Sequence, residues 1–366
     1  MSANANAVGL PCAELETPAL CLDLHAFRRN LSRMAEFITR RHGVNWRPHV
    51  KGLKATELAR EAMGAGAIGV TCATVYEAEA MVRGGVTELL VANQVVGTRK
   101  LARLARLTRE ANVITATDGE EHARQLNRAA LAEQTVIPVL VEVDTGMGRC
   151  GVAPGEAAVD LAQRVCAMPG LRFRGLMTWE GHAVAMQGEA KRAEIAAVMA
   201  KLADSAARCR AAGLPVEIVS ASGSATFQNS VPLHSITEVQ AGGGALCDLN
   251  YRRWGVDNEF SITVLTRVVS RPTPNRIVVD GGFKSMSFQH GLPDPLGLGP
   301  LKSLVLTAEH GIIELEHPDE RLRPGDTLAF VPGYTDSTVC LHDEICVIRE
   351  GVLESVWAIP GRTGRR

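Results

Sequence analysis

Residues 137–179 read IPVLVEVDTGMGRCGVAPGEAAVDLAQRVCAMPGLRFRGLMTW, and this stretch decides the fold. The apolar run Ile137–Asp144 is followed by a glycine-rich turn, by the helical pattern of Ala157–Cys166 and by a second apolar run, Leu171–Trp179. Short apolar runs of this length indicate buried strands, and the composition of the stretch between them is typical of a helix. The segment therefore predicts two parallel strands joined by a crossover helix.

The same pattern repeats from about residue 44 to residue 244. Eight apolar runs have the length of buried strands: Val44–Val50, Ala67–Thr74, Glu88–Val95, Asn112–Asp118, Ile137–Asp144, Leu171–Trp179, Pro215–Ala221 and Ser235–Gln240. Six stretches between them have helical composition: Ala55–Met63, Val75–Val82, Leu101–Glu110, Gly119–Leu131, Ala157–Cys166 and Ala190–Ala212. Only a weak helix is predicted between the seventh and eighth strands.

Eight strand–helix units in about 200 residues predict a closed (β/α)8 barrel. An open doubly wound sheet would more often stop at about five or six strands and carry a G-x-G-x-x-G fingerprint after the first strand. That fingerprint is missing from this sequence.

After residue 245 the chain changes to short alternating runs separated by proline and glycine, which are typical of an antiparallel β domain. The predicted strands are Ser261–Val269, Arg276–Val279, Ser303–Thr307, Thr327–Val331, Glu344–Ile348 and Val352–Ile359. The run Pro18–Leu24 also resembles a strand and could join this second domain. The prediction is an α/β protein with a barrel domain over residues 25–245 and a mainly antiparallel β domain over residues 246–366, together with the strand in residues 1–24.

Composition excludes several classes of protein. A formal net charge of -1, with 46% hydrophobic and 22% charged residues, supports neither disorder nor electrostatic binding of nucleic acid. No apolar run reaches the roughly 18 residues of a membrane helix, and the first ten residues lack the basic and apolar regions of a signal peptide. The nine cysteines show no C-x-x-C spacing. Reduced thiols in the cytoplasm are therefore predicted, with no nucleic-acid or membrane partner.

Chemically useful side chains follow several of the predicted barrel strands. Lys51 ends the first strand, Arg149 follows the fifth and His182 follows the sixth. The loops after the seventh and eighth strands, residues 220–226 and 240–244, are small and glycine-rich, so that their backbone N–H groups could approach a phosphate. An amine beside a phosphate site indicates Schiff-base chemistry. At this point two candidates remain open, a pyridoxal phosphate enzyme and a class I aldolase that acts on a sugar phosphate.

A series of motifs in fixed order resembles the fold type III pyridoxal phosphate enzymes, and within them the family of D-threonine aldolase and D-serine dehydratase. The matching stretches are Thr17–Leu20, Arg47–Lys54, Thr71–Glu79, Asp144–Gly151, Trp179–His182, Glu238–Gly242, Val279–Lys284, Glu309–Gly311 and Val331–Gly333. The resemblance thus runs from about residue 17 to the end of the chain.

The resemblance implies a homodimer with pyridoxal 5'-phosphate bound as an imine to Lys51. Lys54 lies three residues further on, at the start of a helix that would turn it away. His182 matches a position near the substrate and could act as acid or base. The implied cofactor-binding residues are Lys51, Thr74, Arg149, Ser222, Gly223, Ser224, Gln240, Gly242 and Gly243.

Two positions depart from the family pattern. Leu53 stands where a histidine usually precedes the second lysine, and Tyr334 stands where the family has the histidine of a divalent-metal site. Asp336 is the remaining metal ligand of that pattern and is a poor site alone, although Cys340 or His342 could substitute. Metal dependence is therefore expected to be weak or absent, with Tyr334 or His182 as the catalytic group that handles the substrate's β-oxygen.

These features predict an aldolase that cleaves D-β-hydroxy-α-amino acids to glycine and an aldehyde. Alternatives within the family are a dehydratase acting on D-serine or D-3-hydroxyaspartate and an amino-acid racemase. A pyridoxal phosphate carrier is less favoured, because such carriers are usually single-domain barrels. A Schiff-base sugar-phosphate lyase is the alternative outside the family.

Overall fold

The computed structural model describes residues 4–362, which form two compact units. The barrel unit contains Ser32–Lys51 and Thr56–Gly242, and the sheet unit contains residues 4–31, Gly52–Ala55 and residues 243–362. The chain changes unit after Leu31, returns to the sheet unit for Gly52–Ala55 and leaves the barrel unit after Gly242. Residues 1–3 and 363–366, which the predicted second domain includes, lie outside the described residues. No helix within residues 4–362 is long and apolar enough to cross a membrane.

The described chain begins with strand β1 (Ala19–Asp23) and helix α1 (Leu24–Ala35), which continues as a π-helical turn over Glu36–Arg41. The barrel strands that follow are β2 (Asn45–Trp46), β3 (Val70–Cys72), β4 (Glu88–Gln94), β5 (Asn112–Thr117), β6 (Ile137–Glu142), β7 (Leu171–Met177), β8 (Ile218–Ala221) and β9 (Glu238–Val239). Each lies within one of the eight predicted runs. The parallel order β2-β9-β8-β7-β6-β5-β4-β3 confirms the predicted α/β barrel fold.

The ring of strands closes beside β2. On one side Asn45 pairs with Glu238 of β9. On the other side the N–H of Thr71 donates to the carbonyl of Pro48 at 2.9 Å, and the N–H of Val50 donates to the carbonyl of Thr71 at 2.8 Å. The chain after β2 is therefore bonded to both of its neighbours in the ring.

Helices connect the barrel strands, and they are α2 (Thr56–Gly64), α3 (Val75–Arg83), α4 (Thr98–Leu107), α5 (Glu120–Ala132), α6 (Glu156–Cys166), α7 (Gly188–Ala211) and α8 (Phe227–Ser230). α8 has only four residues, and it lies where a weak helix is predicted between the last two barrel strands. An apolar cluster from successive strands packs together, and its buried members are Leu90, Ile114, Ala116, Leu140, Met177 and Ile218. Burial of such side chains stabilises a barrel by about 1.5–3 kcal/mol for each large one.

The sheet unit contains one short helix after the barrel, α9 (Leu249–Arg253), and later α10 (Thr335–Thr338). Its remaining strands are β10 (Ile262–Thr273), β11 (Arg276–Val279), β12 (Asp294–Pro295), β13 (Leu301–Leu306), β14 (Gly311–Leu315), β15 (Thr327–Val331), β16 (Glu344–Arg349) and β17 (Val352–Ala358). The strand order is β13-β14-β11-β10-β1-β16-β17, and β15 pairs with β10 and β12. Two of these strands were not predicted from the sequence: β12, which contains proline, and β14, whose first residue is part of the motif Glu309–Gly311.

Strand β1 lies inside this sheet. It pairs antiparallel with β10, as between Leu20 and Val264, and parallel with β16, as between Leu22 and Val347. A buried cluster covers this region, and its members are Leu15, Ala19, Cys21, Leu265, Cys346 and Leu353. The N-terminal strand is thus a central strand of the sheet unit.

Candidate active site

The carboxyl ends of the barrel strands bring together the barrel residues that the sequence singled out. All eight strands run parallel, so the segments that follow them emerge at the same end of the barrel. These segments contain Lys51 after β2, Thr74 after β3, Arg149 after β6, His182 after β7, Ser222–Ser224 after β8 and Gln240–Gly242 after β9.

Lys51 leaves a rigid part of the backbone. The N–H of His49 donates to the carbonyl of Gln240 at 2.9 Å, and the N–H of Lys51 donates to His49 Nδ1 at 3.2 Å. The Lys51 side chain is exposed at the end of the barrel. Lys54, by contrast, belongs to the sheet unit and has a left-handed backbone with φ of 55°. Strand closure therefore fixes the position of Lys51 at the barrel end.

The loop after β8 forms a small backbone cradle. Ser222 is buried with φ of 68°, and its hydroxyl lies 2.6 Å from the hydroxyl of Ser230. The N–H of Gly223 donates to Thr226 Oγ1 at 3.0 Å. A Cβ on Gly223 would lie 2.5 Å from the Trp179 ring, so only glycine fits this close approach. These contacts pack the loop tightly against Ser230, Thr226 and Trp179.

The loop after β9 is equally tight. A Cβ on Gly242 would lie 2.6 Å from the backbone N of His49, and a Cβ on Gly243 would collide with the phenol of Tyr251. Any larger residue at either position would therefore disturb the local packing. The Gln240 amide donates to Ser220 Oγ at 3.0 Å, so its Nε2 group is directed into the barrel.

The side chain of Glu180 is hydrogen-bonded to the loop after β8. It is fully buried, and its Oε2 accepts the N–H of Ser222 at 3.3 Å. Its Oε1 is buried with no hydrogen-bond partner among the described residues. Burial raises the pKa of Glu180 above its ordinary value, against the effect of hydrogen bonds from Thr226 and Ser222.

Arg149 and Thr74 are predicted to bind the cofactor, and in this structure each contacts a neighbouring glutamate. Arg149 is exposed, and its Nη2 lies 3.7 Å from Oε1 of the buried Glu142. Burial raises the pKa of Glu142. Thr74 is the N-cap of α3, and its hydroxyl oxygen accepts the N–H of Glu77 at 3.1 Å. That bond leaves the Thr74 hydroxyl proton available to another acceptor.

In the sheet unit, two phenols surround the carboxylate of Asp336. Tyr334 Oη donates to Asp336 Oδ2 at 3.0 Å, and Tyr251 Oη lies 3.5 Å from Asp336 Oδ1. Burial, followed by the Asp336 charge, raises the pKa of both tyrosines. Gly52 packs against the same carboxylate, because a Cβ there would collide with Asp336 Oδ1. Both phenols therefore remain protonated and donate to Asp336.

Asp248 holds this region in place, and the sequence analysis did not identify it. It is fully buried, caps α9 by accepting the N–H of Tyr251 at 2.7 Å, and accepts both the N–H and the hydroxyl of Thr335. Burial raises its pKa to about 6. An aspartate directly before a helix is an N-cap signal that could have pointed to it.

The other two metal ligands considered from the sequence are engaged elsewhere. His342 Nε2 donates to the carbonyl of Ser285 at 2.8 Å, and burial lowers the His342 pKa. Cys340 Sγ lies 3.2 Å from the carbonyl of Ser337. Over residues 4–362 no group of three or more His, Cys, Asp or Glu side chains is arranged to hold a metal ion. The residues around Asp336 therefore do not fit the metal site that the sequence resemblance implies.

Comparisons with known proteins agree with this architecture. Residues 22–247 match the family model of the alanine racemase N-terminal domain, and residues 261–348 match that of a putative serine dehydratase domain. The chain belongs to the alanine racemase-like family. It is 35% identical to the D-threonine aldolase of Arthrobacter sp over 97% of this chain and 94% of that protein.

Two further relatives within the alanine racemase-like family extend the match. The chain is 34% identical to the 3-hydroxy-D-aspartate aldolase of Paracoccus denitrificans (strain Pd 1222), over 97% of this chain and 94% of that protein. The crystal structure of D-threonine aldolase from Filomicrobium marinum matches with a TM-score of 0.95 at 35% identity, covering 99% of both chains. The resemblance found in the sequence is confirmed.

The alanine racemase-like family implies pyridoxal phosphate, and the barrel residues fit this cofactor. The Lys51 amine lies at the strand end where an aldehyde could be bound. Gly223 packs against the Trp179 ring and Gly242 against the His49 backbone, so neither loop carries a side chain at these positions. Small loops after the last two strands of such a barrel are the usual place for a phosphate.

Proposed function

We propose that this chain is a pyridoxal phosphate-dependent carbon–carbon lyase that cleaves D-β-hydroxy-α-amino acids to glycine and an aldehyde. The observation that carries the proposal is the placement of Lys51 at the barrel end that also bears the loops Ser222–Ser224 and Gln240–Gly242. The near full-length identity to D-threonine aldolase and 3-hydroxy-D-aspartate aldolase supports this reaction.

In this proposal each barrel residue has a defined task. Pyridoxal phosphate, when bound, supplies a ring that withdraws electrons from the substrate's Cα. Lys51 holds the cofactor through its amine, and the loops Ser222–Ser224 and Gly242–Gly243 bind the phosphate. Arg149, Thr74 and Gln240 contact the rest of the cofactor. His182 takes the proton of the β-hydroxyl.

A dehydratase is the second candidate, because residues 261–348 match a putative serine dehydratase domain. The two reactions share the cofactor and differ in the bond that breaks. Cleavage of Cα–Cβ releases glycine and an aldehyde, whereas loss of the hydroxyl from Cβ gives a 2-oxo acid and ammonia.

Product analysis on D-threonine, D-3-hydroxyaspartate and D-serine tests the function. We expect glycine and the matching aldehyde from the first two substrates, and neither ammonia nor the opposite enantiomer as the main product. A 2-oxo acid with ammonia would establish the dehydratase, and inversion at Cα alone would establish a racemase. A purified protein without the cofactor's visible absorbance would favour the sugar-phosphate lyase. Sedimentation velocity of the same sample tests the homodimer.

The homodimer and a cytoplasmic location are part of this proposal. All nine cysteines are free thiols, which supports a reducing compartment. The exposed rings of Phe283 and Phe288 pack edge to face with centroids 6.2 Å apart and give the sheet unit an apolar patch. Exposed patches of this kind often mark protein interfaces.

We further propose that the reaction depends little on a divalent metal. A carboxylate without a neighbouring imidazole holds such a cation weakly, and both Asp336 oxygens face phenols. Tyr334 stands where the family has a metal-binding histidine, and it is predicted to be a catalytic residue. Its phenol can accept one hydrogen bond while it donates to Asp336.

Treatment with EDTA tests metal dependence. We expect the wild-type protein to keep most of its activity, because the chelator removes no catalytic group. Tyr334→His is the matched variant, since it places an imidazole beside Asp336; its activity should become sensitive to EDTA and recover with Mn²⁺. Loss of wild-type activity in EDTA, with recovery on adding Mn²⁺ or Zn²⁺, would refute metal independence. Elemental analysis of both proteins completes the comparison.

A further inference from the structure

His182 is held from two sides within the barrel unit. It lies in the turn Gly181–Ala183 after β7, and its Nε2 is 3.0 Å from Glu194 Oε1 on α7. Gly146 covers the ring, because a Cβ there would lie 3.2 Å from both His182 Cε1 and Nε2. With φ of 141°, Gly146 also has a backbone that favours glycine. The imidazole is therefore oriented before any substrate binds.

The hydrogen bond to Glu194 determines which ring nitrogen carries the proton. A carboxylate accepts hydrogen bonds, so Nε2 is the donor and the neutral ring keeps its lone pair on Nδ1. Nδ1 is buried and has no hydrogen-bond partner among the described residues. A buried acceptor that the protein leaves unpaired is suited to a group that arrives with the substrate.

Two carboxylates act on this ring in different ways. Asp144 interacts with His182 through space, while its Oδ1 accepts the N–H groups of Gly146 at 3.0 Å and of Gly148 at 3.1 Å. These backbone bonds, first among the causes, lower the pKa of Asp144. Glu194 instead contacts the imidazole directly. Of these two carboxylates, Glu194 is therefore the one that can set the ring's tautomer.

We propose that Glu194 is a positioning residue that directs His182 Nδ1 to the β-hydroxyl of the substrate. The inference rests on the proposed aldolase function. The hydroxyl proton moves to Nδ1 as the C–O bond becomes a carbonyl and the Cα–Cβ bond breaks. The electron pair of that bond stays with the glycine fragment, whose Cα later takes up a proton. No oxidant or further reactant is needed.

Variants of Glu194 test whether this residue affects the rate of the reaction. Glu194→Ala should lower kcat by roughly tenfold to a hundredfold with a smaller change in KM, because the ring loses its orientation. Glu194→Gln keeps an oxygen that can accept from Nε2 and should retain more activity. Glu189→Gln is the matched control, since this exposed glutamate lies in the first turn of the same helix and should leave kcat unchanged.

A double-mutant cycle separates positioning from general support of the fold. In a His182→Ala background, Glu194→Ala should cause no further loss, because Glu194 acts through the absent ring. The acid limb of the pH profile of kcat/KM should also move in Glu194→Gln but not in Glu189→Gln. Additive losses in the cycle, or wild-type kinetics in Glu194→Ala, would overturn the proposal.

NMR gives a readout that does not require activity. In cofactor-free protein labelled with ¹⁵N-histidine, the His182 signals, assigned by their loss in His182→Ala, should show the Nε2–H tautomer. Glu194→Ala should give a mixture of tautomers. An Nδ1–H tautomer in the wild type would refute the inference, whereas an absence of aldolase products with the expected tautomer would refute only the proposed function.

Discussion

Lys51→Arg should abolish covalent attachment of pyridoxal phosphate and lower activity by roughly a thousandfold or more. Arginine keeps the positive charge but cannot form the C=N bond through which the amine holds the cofactor's carbonyl. Borohydride reduction traps that bond in the wild type, and peptide mapping should find the pyridoxyl group on residue 51 alone. The reduced Lys51→Arg protein should carry no adduct.

Two matched variants test whether replacing a different lysine has the same effect. Lys54→Arg should keep the adduct on Lys51, because residue 54 belongs to a left-handed turn of the sheet unit. Lys284→Arg should do the same, since Lys284 is exposed and paired with Glu309. An adduct that maps to residue 54 or 284 in the wild type would disprove the assignment.

Glu238→Ala should strongly destabilise the barrel unit. Glu238 and Arg47 are 3% and 4% exposed and join β9 to the residue after β2, with Oε2 2.9 Å from Arg47 Nε. Glu238 Oε1 also accepts the hydroxyl of Ser220 at 2.9 Å. Removing the carboxylate leaves a buried guanidinium unpaired, which costs about 3–5 kcal/mol in the free energy of unfolding. Urea denaturation measures this loss.

The exposed pair Arg208–Asp204 offers the control. Its side chains are each 54% exposed and one helical turn apart, so Asp204→Ala should change the free energy of unfolding by less than about 0.5 kcal/mol. The double variant Arg47→Met/Glu238→Leu should recover much of the loss, because it removes both buried charges. Equal effects of Glu238→Ala and Asp204→Ala would show that the buried pair does not stabilise the ring.

The barrel could be predicted because its signals are local. Each strand is a short apolar run and most connections are helix-forming stretches, so their count and order can be obtained without any tertiary contact. The same rule placed Lys51 and His182 at strand ends, and the parallel sheet puts those ends together. The two strands that were not predicted contain residues that disfavour strands, since β14 (Gly311–Leu315) begins with glycine and β12 (Asp294–Pro295) contains proline.

The contacts that organise the site depend on packing and could not be predicted. Arg47 and Glu238 lie 191 residues apart in the sequence and meet only when the ring closes. Glu194 lies 12 residues after His182, on a helix that shows no special pattern at that position. Burial of Glu180 and Asp248 is likewise a property of the folded chain, and burial is what raises their pKa values.

The central position of β1 has a consequence for synthesis on the ribosome. The residues of β1 emerge before the whole barrel unit, but their partners in β16 lie some 325 residues later, as with Cys21 and Cys346. The barrel unit can fold from its own contiguous strands before the partners of β1 have been synthesised. During that time both hydrogen-bonding edges of β1 stay exposed. A nascent chain therefore carries an unpaired apolar strand throughout barrel formation, which is the period when a chaperone would protect it from aggregation.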